Sequence, residues 1–463
     1  MADEQPSFDS RGSRRAVAPA APIRCDVAVL GGGLAGLAAS IKLRRAGMRV
    51  VCVEPDAFPH DSVGESLDWS APSLLAELGL PGERLLDSGV ATSKQKITVV
   101  VPGREPSISE PPEWWGKPPL RFEDVTLHVD RVGMDSQLYA LAVELGVEFV
   151  WERAREVFAE HERVTAVATA SGQRIEATWF VDSSGRGAHL FERKFGIGRR
   201  EYGREKVSLW CYFETPCQVA GTTFYIEDPQ REYLQWIWEI PITPSRTSVG
   251  VVMEADDVRR RRRAGKTTGE VLRDLLTPFP RFAPLLAEHG ELAVRATAYR
   301  CFVLANACGP NWLIAGEAAA LPDALTGNGV TAALRHASEG AELVLEARER
   351  GSLSARQRRI YNANVQRLGH MFNHAMEAAV YQPPIRRGFS FVAAQVIYIM
   401  CAFILNALYS RARPKKWLSM LTFGVLMRVA WIWIEGCALV AKVAVASRGL
   451  RRAAPPGVAP ATS

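Results

Sequence analysis

No two of the eight cysteines of this 463-residue chain are spaced as Cys-x-x-Cys, and they are scattered from Cys25 to Cys437. In a chain this long that argues against a disulfide framework and against zinc held by such pairs. The cysteines read as reduced, mostly buried thiols of a cytosolic protein. No apolar run precedes Ile23, so a secretory leader has no hydrophobic stretch to use. Residues 1–22 are charged and rich in Ala, Pro and Ser, the composition of a disordered tail. A third ligand is lacking beside His370 and His374, which stand at i and i+4 with no Glu after the first. No metal site is expected. A basic surface fit for nucleic acid is also lacking. The net charge of +6 comes from the C-terminal end, where residues 384–463 carry eleven Lys and Arg against the single acid Glu435. The remainder is therefore slightly acidic, and the run Arg259–Arg263 follows two aspartates on a helical pattern reaching Leu276, as a solvated face would.

What is present starts with 48% hydrophobic residues, enough for a large buried core. Asp26-Val-Ala-Val-Leu30 is an apolar strand pattern leading directly into Gly31-Gly-Gly33-Leu-Ala-Gly36. A helical pattern to Ala46 follows, then Arg49-Val-Val-Cys-Val53 and the acid Glu54. Gly31 permits the tight turn, Gly33 lets backbone approach a pyrophosphate, and Gly36 lets the helix pack close to the strand. The helix N-terminus offers N–H groups to phosphates, and Glu54 can accept hydrogen bonds from ribose hydroxyls. Strand, glycine turn, helix, strand and acid together predict a dinucleotide site. A second apolar strand far along the chain reaches Gly316-Glu317. Asp323, the turn Thr326-Gly327-Asn328-Gly329 and a helical stretch from Val330 to about Arg350 come next. Its N-terminus can face a flavin ring while Glu317 bonds the ribityl chain, which selects FAD.

Over residues 23–345 the chain resembles the FAD-dependent monooxygenase and halogenase superfamily. The resemblance rests on the glycine turn, on Arg131 and Asp135 within Asp130–Asp135, on Val181-Asp-Ser-Ser-Gly-Arg186 and on Gly316-Glu317. Two departures stand out: Glu317 where the family has Asp, and Asp323-Ala324 where it has Asp-Pro. Gly64-Glu65-Ser66 and Trp236-Ile-Trp238-Glu-Ile240-Pro241 are similar to segments of the flavin-dependent halogenases. That resemblance implies reduced FAD supplied by a separate flavin reductase, O₂ and a halide ion, with halide oxidised through a flavin hydroperoxide to hypohalous acid. It implies a lysine, here Lys94, that delivers halogen to an electron-rich ring, with Trp236 and Trp238 keeping the oxidant from direct use on substrate. Asn328 and Gly329 match the halide positions; Gly64, Glu65, Ser66, Arg131, Gly316, Glu317, Asp323 and Gly327 match flavin-side positions. Lys94 and Lys96 share one strand face in this reading. Thr326 stands where tryptophan halogenases carry a glutamate, which points to phenols, pyrroles or carrier-bound aromatics. A hydroxylase or dehydrogenase of a membrane-proximal lipid or polyketide-like substrate is the alternative. A flavin-binding protein without catalysis is disfavoured by Lys94 and the halide turn.

The expected fold is α/β. It has a Rossmann-like FAD-binding domain over residues 23–345, an inserted mixed β-sheet substrate domain around 91–125 and 205–255, and a C-terminal helical region over 346–463. That region holds two apolar segments, 389–410 and 417–440, flanked by Arg386, Arg387 and the basic run 411–416. Two transmembrane helices, an interfacial hairpin and a buried helical lid are the three readings. The basic flanks favour a cytoplasmic protein held peripherally or by a hairpin at the membrane surface.

Overall fold

A computed structural model describes residues 21–381 apart from 58–62, 112, 114–116, 118–124, 187–188 and 217–219, together with nine residues between 425 and 443. The core starts at the strand Ile23–Leu30, whose last four residues are fully buried. It pairs in parallel with Val50–Val53 on one side and Arg174–Asp182 on the other. Glu148–Val150 extends the sheet beyond Val50–Val53, and Trp312–Ile314 pairs in parallel with the end of Arg174–Asp182. The strands Arg163–Thr169 and Ala154–Glu160 complete it in antiparallel register.

The predicted glycine turn forms where expected. Gly31 sits at φ +97°, and a Cβ there would lie 2.5 Å from the Ser183 carbonyl oxygen. A Cβ on Gly36 would lie 1.8 Å from the Gly31 carbonyl oxygen, so the helix Leu34–Arg45 can approach its strand only with glycine at that position. This helix packs against Gly329–Glu346, which closes the same face of the sheet.

The second sheet runs in the order Ala320–Leu321, Arg295–Leu304, Arg199–Phe213, Arg246–Glu254, Trp236–Thr243, Thr222–Tyr225, Ile97–Val100 and Ser107–Ser109. It is larger than residues 91–125 and 205–255 suggest, because strands near residues 300 and 320 join it by long-range pairing. Ala91–Lys94 is not part of it and pairs instead with Thr126–Val129. Lys94 therefore ends one strand while Lys96 precedes the next, and Lys94 alone is buried.

The arginine run lies on the helix Ala255–Arg263, with Arg259 paired to Asp256 and Glu205, and Arg260 to Asp257. The helical pattern does not run unbroken to Leu276. Gly265 at φ +89° interrupts it, and Thr267 starts the helix Thr268–Leu276 with a capping box to Glu270.

His370 meets the Tyr202 hydroxyl, and His374 pairs with Glu435 at 2.8 Å. Of the cysteines described, Cys52, Cys211, Cys301 and Cys308 are buried free thiols and Cys25 is half-buried. The apolar segment 389–410 and its basic flanks lie outside the described residues. So does most of 417–440, whose described positions, including Val425 and Ile432, are helical and exposed. Among the described residues no helix is long and apolar enough to cross a membrane.

Candidate active site

A cavity of about 490 Å³ opens between the two large sheets. Gly33, Gly64, Glu65, Ser66, Lys94, Arg131, Trp236, Trp238, Glu317, Asp323, Gly327 and Gly329 line it. Sequence positions 300 residues apart thus meet in one space. Gly31, Gly36, Glu54, Gly316 and Asn328 stand behind this wall. Glu54 accepts from the Gly32 N–H at 2.5 Å and the Asp56 N–H at 3.2 Å, which fixes the turn's geometry. Gly316, at φ +66°, abuts Ala35, so it too serves close packing on the first helix. The Asn328 side chain borders a separate small cavity of about 20 Å³.

On the flavin-facing side, Arg131 is held by Asp135 one turn on (2.9 Å) and donates to the Val63 carbonyl at 2.8 Å, beside Gly64. Glu317 forms an ion pair with Arg186 at 3.1 Å. Arg186 also donates to Thr297 Oγ1 at 3.0 Å, so the pair bridges the two sheets across the cavity.

Lys94 is 2% exposed. Its Nζ donates to Ser66 Oγ at 2.9 Å and to the Leu67 carbonyl at 2.8 Å, and it lies 4.9 Å from the centre of the Trp69 ring. Burial pushes its ammonium down to about 8, with Asp68 nearby opposing the shift. A solvated edge position would show none of this.

Trp236 and Trp238 alternate along one strand, so both rings face the cavity side, 5.9 Å apart. Trp238 fits because its partner residue is Gly250, where a Cβ would lie 2.3 Å from the indole. The Trp238 indole N–H donates to Ser248 Oγ (3.1 Å), which donates to Glu65 at 2.9 Å. Burial raises the Glu65 carboxyl to about 7, against hydrogen bonds from Tyr212 and Ser248 that favour its ionised form.

The Trp236 indole N–H donates to the Tyr381 hydroxyl at 2.9 Å, and Tyr381 donates to Asp323 at 3.0 Å. Asp323 in turn receives Lys206 at 2.9 Å, and Lys206 also meets Glu377 at 3.0 Å. Burial alone would lower the Lys206 ammonium; Asp323, Tyr381, Cys301 and Glu377 reverse this and hold it well above the ordinary lysine range. Sequence reasoning missed Lys206, Tyr381, Arg186, His128 and Thr222. Only Arg186 carried a local signal, as the last residue of the Asp182–Arg186 segment.

The tryptophan halogenase family model matches residues 116–272, which include both tryptophans, and an FAD-binding domain model matches 26–70. In these matches the chain is similar to the flavin-dependent halogenases.

A 1H-pyrrole-2-carbonyl-[peptidyl-carrier protein] brominase of Pseudoalteromonas luteoviolacea is 27% identical, over 50% of this chain and 55% of that protein. A tryptophan 2-halogenase of Chondromyces crocatus is 26% identical, over 68% of this chain and 60% of that one. The chain thus spans about half to two thirds of the length of these curated relatives. The same fold occurs in a triple variant of the flavin-dependent brominase Bmp2, with TM-score 0.71, 19% identity, 88% of this chain and 99% of that one.

FAD is the cofactor, and the chain has the residues for it. A Cβ built on Gly33 meets nothing within 4 Å, which leaves the cradle above the turn open. The first turn of Leu34–Arg45 has no side-chain cap competing for its N–H groups.

Proposed function

We propose that the chain is a two-component flavin-dependent halogenase acting on an aromatic or otherwise electron-rich apolar substrate. The observation that carries this reading is the buried ammonium of Lys94 on the wall of the cavity that also holds Trp236 and Trp238. Bound FAD, reduced by a separate flavin reductase, supplies the oxidation of halide by O₂ to hypohalous acid.

The chain's own residues do the rest. Gly31, Gly33 and Glu54 would hold pyrophosphate and ribose, Gly36 and Gly316 let the first helix pack close beside them, and Gly64, Glu65, Ser66, Arg131, Glu317, Asp323 and Gly327 would surround the remaining cofactor. The halide sits at the backbone N–H groups of Asn328 and Gly329, which open an 18-residue helix with no side-chain cap. Two of the three Lys94 N–H bonds are taken by Ser66 and Leu67. The third donates to the oxygen of hypohalous acid and makes the halogen electrophilic. An arene and hypohalous acid then give the haloarene and water. Trp236 and Trp238 fill the wall between the cofactor side and the substrate.

Thr326 turns the substrate class away from tryptophan and towards phenols, pyrroles or carrier-bound aromatics. The pyrrolyl-carrier brominase among the relatives supports the last of these. The basic C-terminal region over residues 384–463 supports attachment to an anionic membrane surface, which co-sedimentation of the full chain with phosphatidylserine vesicles at low and high salt tests.

The deciding assay supplies FAD, a flavin reductase, NADH, O₂ and bromide, and follows bromination of a panel of activated arenes by mass spectrometry. A brominated product that disappears in Lys94→Ala is expected. Oxygenated or desaturated product with or without bromide overturns the reading in favour of a hydroxylase or dehydrogenase.

A further inference from the structure

Lys94 is also the first member of a hydrogen-bond chain that the reading above leaves unused. Its Nζ donates to Ser66 Oγ at 2.9 Å, and the Ser66 hydroxyl lies 2.8 Å from that of Thr222. Thr222 Oγ1 is 2.9 Å from His128 Nε2, and His128 Nδ1 is 3.4 Å from Thr92 Oγ1. The Thr92 hydroxyl donates to the carbonyl of Pro241, the proline that ends the tryptophan motif. Four separate pieces of chain build this line. Thr92 and Lys94 pair with His128 and Thr126 across the two-stranded sheet, Ser66 bridges to His128, and Thr222 comes from the large sheet. Lys94, His128 and Thr222 are each 2% exposed or less.

The two ends fix the direction of the chain. An ammonium only donates, and a carbonyl only accepts. Among the described residues, one arrangement gives every proton an acceptor. Ser66 accepts from Lys94 and donates to Thr222, and Thr222 donates to a bare His128 Nε2. His128 then carries its proton on Nδ1, facing Thr92, and Thr92 passes its own proton to Pro241. A proton on Nε2 would reverse the middle of the chain and leave the Ser66 hydroxyl without an acceptor beside the ammonium. Burial, with the Lys94 charge close by, holds His128 well below the ordinary imidazole range, so the accepting nitrogen persists at neutral pH. Among the described residues, the charged group acting on Lys94 is Asp68, which receives the backbone N–H and hydroxyl of Ser70.

We infer that His128 is a positioning residue for Lys94, acting through Thr222 and Ser66 to fix the ammonium's hydrogen bonds and aim its remaining N–H into the cavity. This rests on the reading that Lys94 delivers the halogen. A chain polarised in one direction strengthens each bond in it, so Ser66 stabilises the charged lysine more than an isolated serine would.

Competitive labelling of the FAD-loaded protein with acetic anhydride, read at Lys94 by mass spectrometry across pH, reports the lysine's titration without any substrate. Thr222→Val and His128→Leu are expected to lower the midpoint by about one pH unit. Thr222→Ser and His128→Gln, which restore a hydroxyl and an accepting oxygen, are expected to return it towards that of the unaltered protein. A midpoint unchanged in both Thr222→Val and His128→Leu overturns the proposal, whatever the bromination assay shows. Midpoints that move as expected while Lys94→Ala still brominates overturn the catalytic reading instead, and with it the service of His128 to catalysis.

Discussion

At the scale of single residues, the glycines of this chain divide into those that touch protein and those that face empty space. Gly36 belongs to the first kind: a methyl there would collide with the Gly31 carbonyl, so its role is packing. Gly329 belongs to the second. It lines the cavity at the first turn of Gly329–Glu346, and a Cβ built on it meets no atom within 4 Å. Gly329→Ala should therefore fold as well as the unaltered chain, yet put a methyl where the proposed halide sits. The expected result is a rise of about tenfold in the KM for bromide, about 1.4 kcal/mol, with an unchanged melting temperature. Bromide kinetics with a fixed arene check this. An unaltered KM would place the halide elsewhere.

At the scale of elements, the parts legible in the sequence were those whose signal is local. The strand, turn and helix around Gly31, Gly33 and Gly36 occupy a short window, and the alternation of Trp236 and Trp238 places both on one face without any knowledge of the partner strands. Lys206 shows the limit. It lies in Arg199–Phe213, where simple alternation gives no reason to expect a buried charge. The pairing register with Arg295–Leu304 shifts by two residues between Tyr202 and Lys206, which keeps Lys206 on the face of the buried Tyr202, Ser208 and Trp210. Its two carboxylate partners come from elements more than 100 residues away. Long separation also hid the contact between His128 and Thr222, which lie 94 residues apart. The prediction at this scale concerns the cluster. Lys206→Met removes one cation from between Asp323 and Glu377 and leaves two buried carboxylates facing each other. A loss of about 3–5 kcal/mol in urea unfolding is expected, and adding Glu377→Gln should recover part of it. A loss below about 1 kcal/mol would mean that the carboxylates are already neutral, and that the chain from Trp236 through Tyr381 to Asp323 does not depend on this charge.

At the scale of the whole molecule, burial favours the neutral form of several titratable groups of the folded state. Burial raises the carboxyls of Glu65, Asp68 and Asp182 and lowers the bases of Lys94, His128 and His336. Each shift makes folding stability depend on pH, and the signs differ. A depressed histidine favours folding above its unfolded value and loses that contribution as pH falls. A raised carboxyl does the reverse. For Glu65 the folded form holds its proton until about 7, whereas the unfolded chain releases it near 4.5. The folded state therefore binds more protons between those values, and the stability associated with Glu65 is full below 4.5 and lost as pH rises through 7. Carried to completion, that loss amounts to about 3 kcal/mol. Glu65→Gln keeps an oxygen to accept from Ser248 but cannot ionise. Its unfolding free energy, measured in the absence of FAD, should match that of the unaltered chain at pH 4.5 and exceed it progressively up to pH 8. The difference between the two proteins isolates Glu65 from the opposing histidines, which titrate alike in both. A constant offset at every pH would show that the Glu65 carboxyl ionises as freely in the fold as in water. It would then be a fixed negative charge in the cavity rather than a group that holds a proton near neutrality.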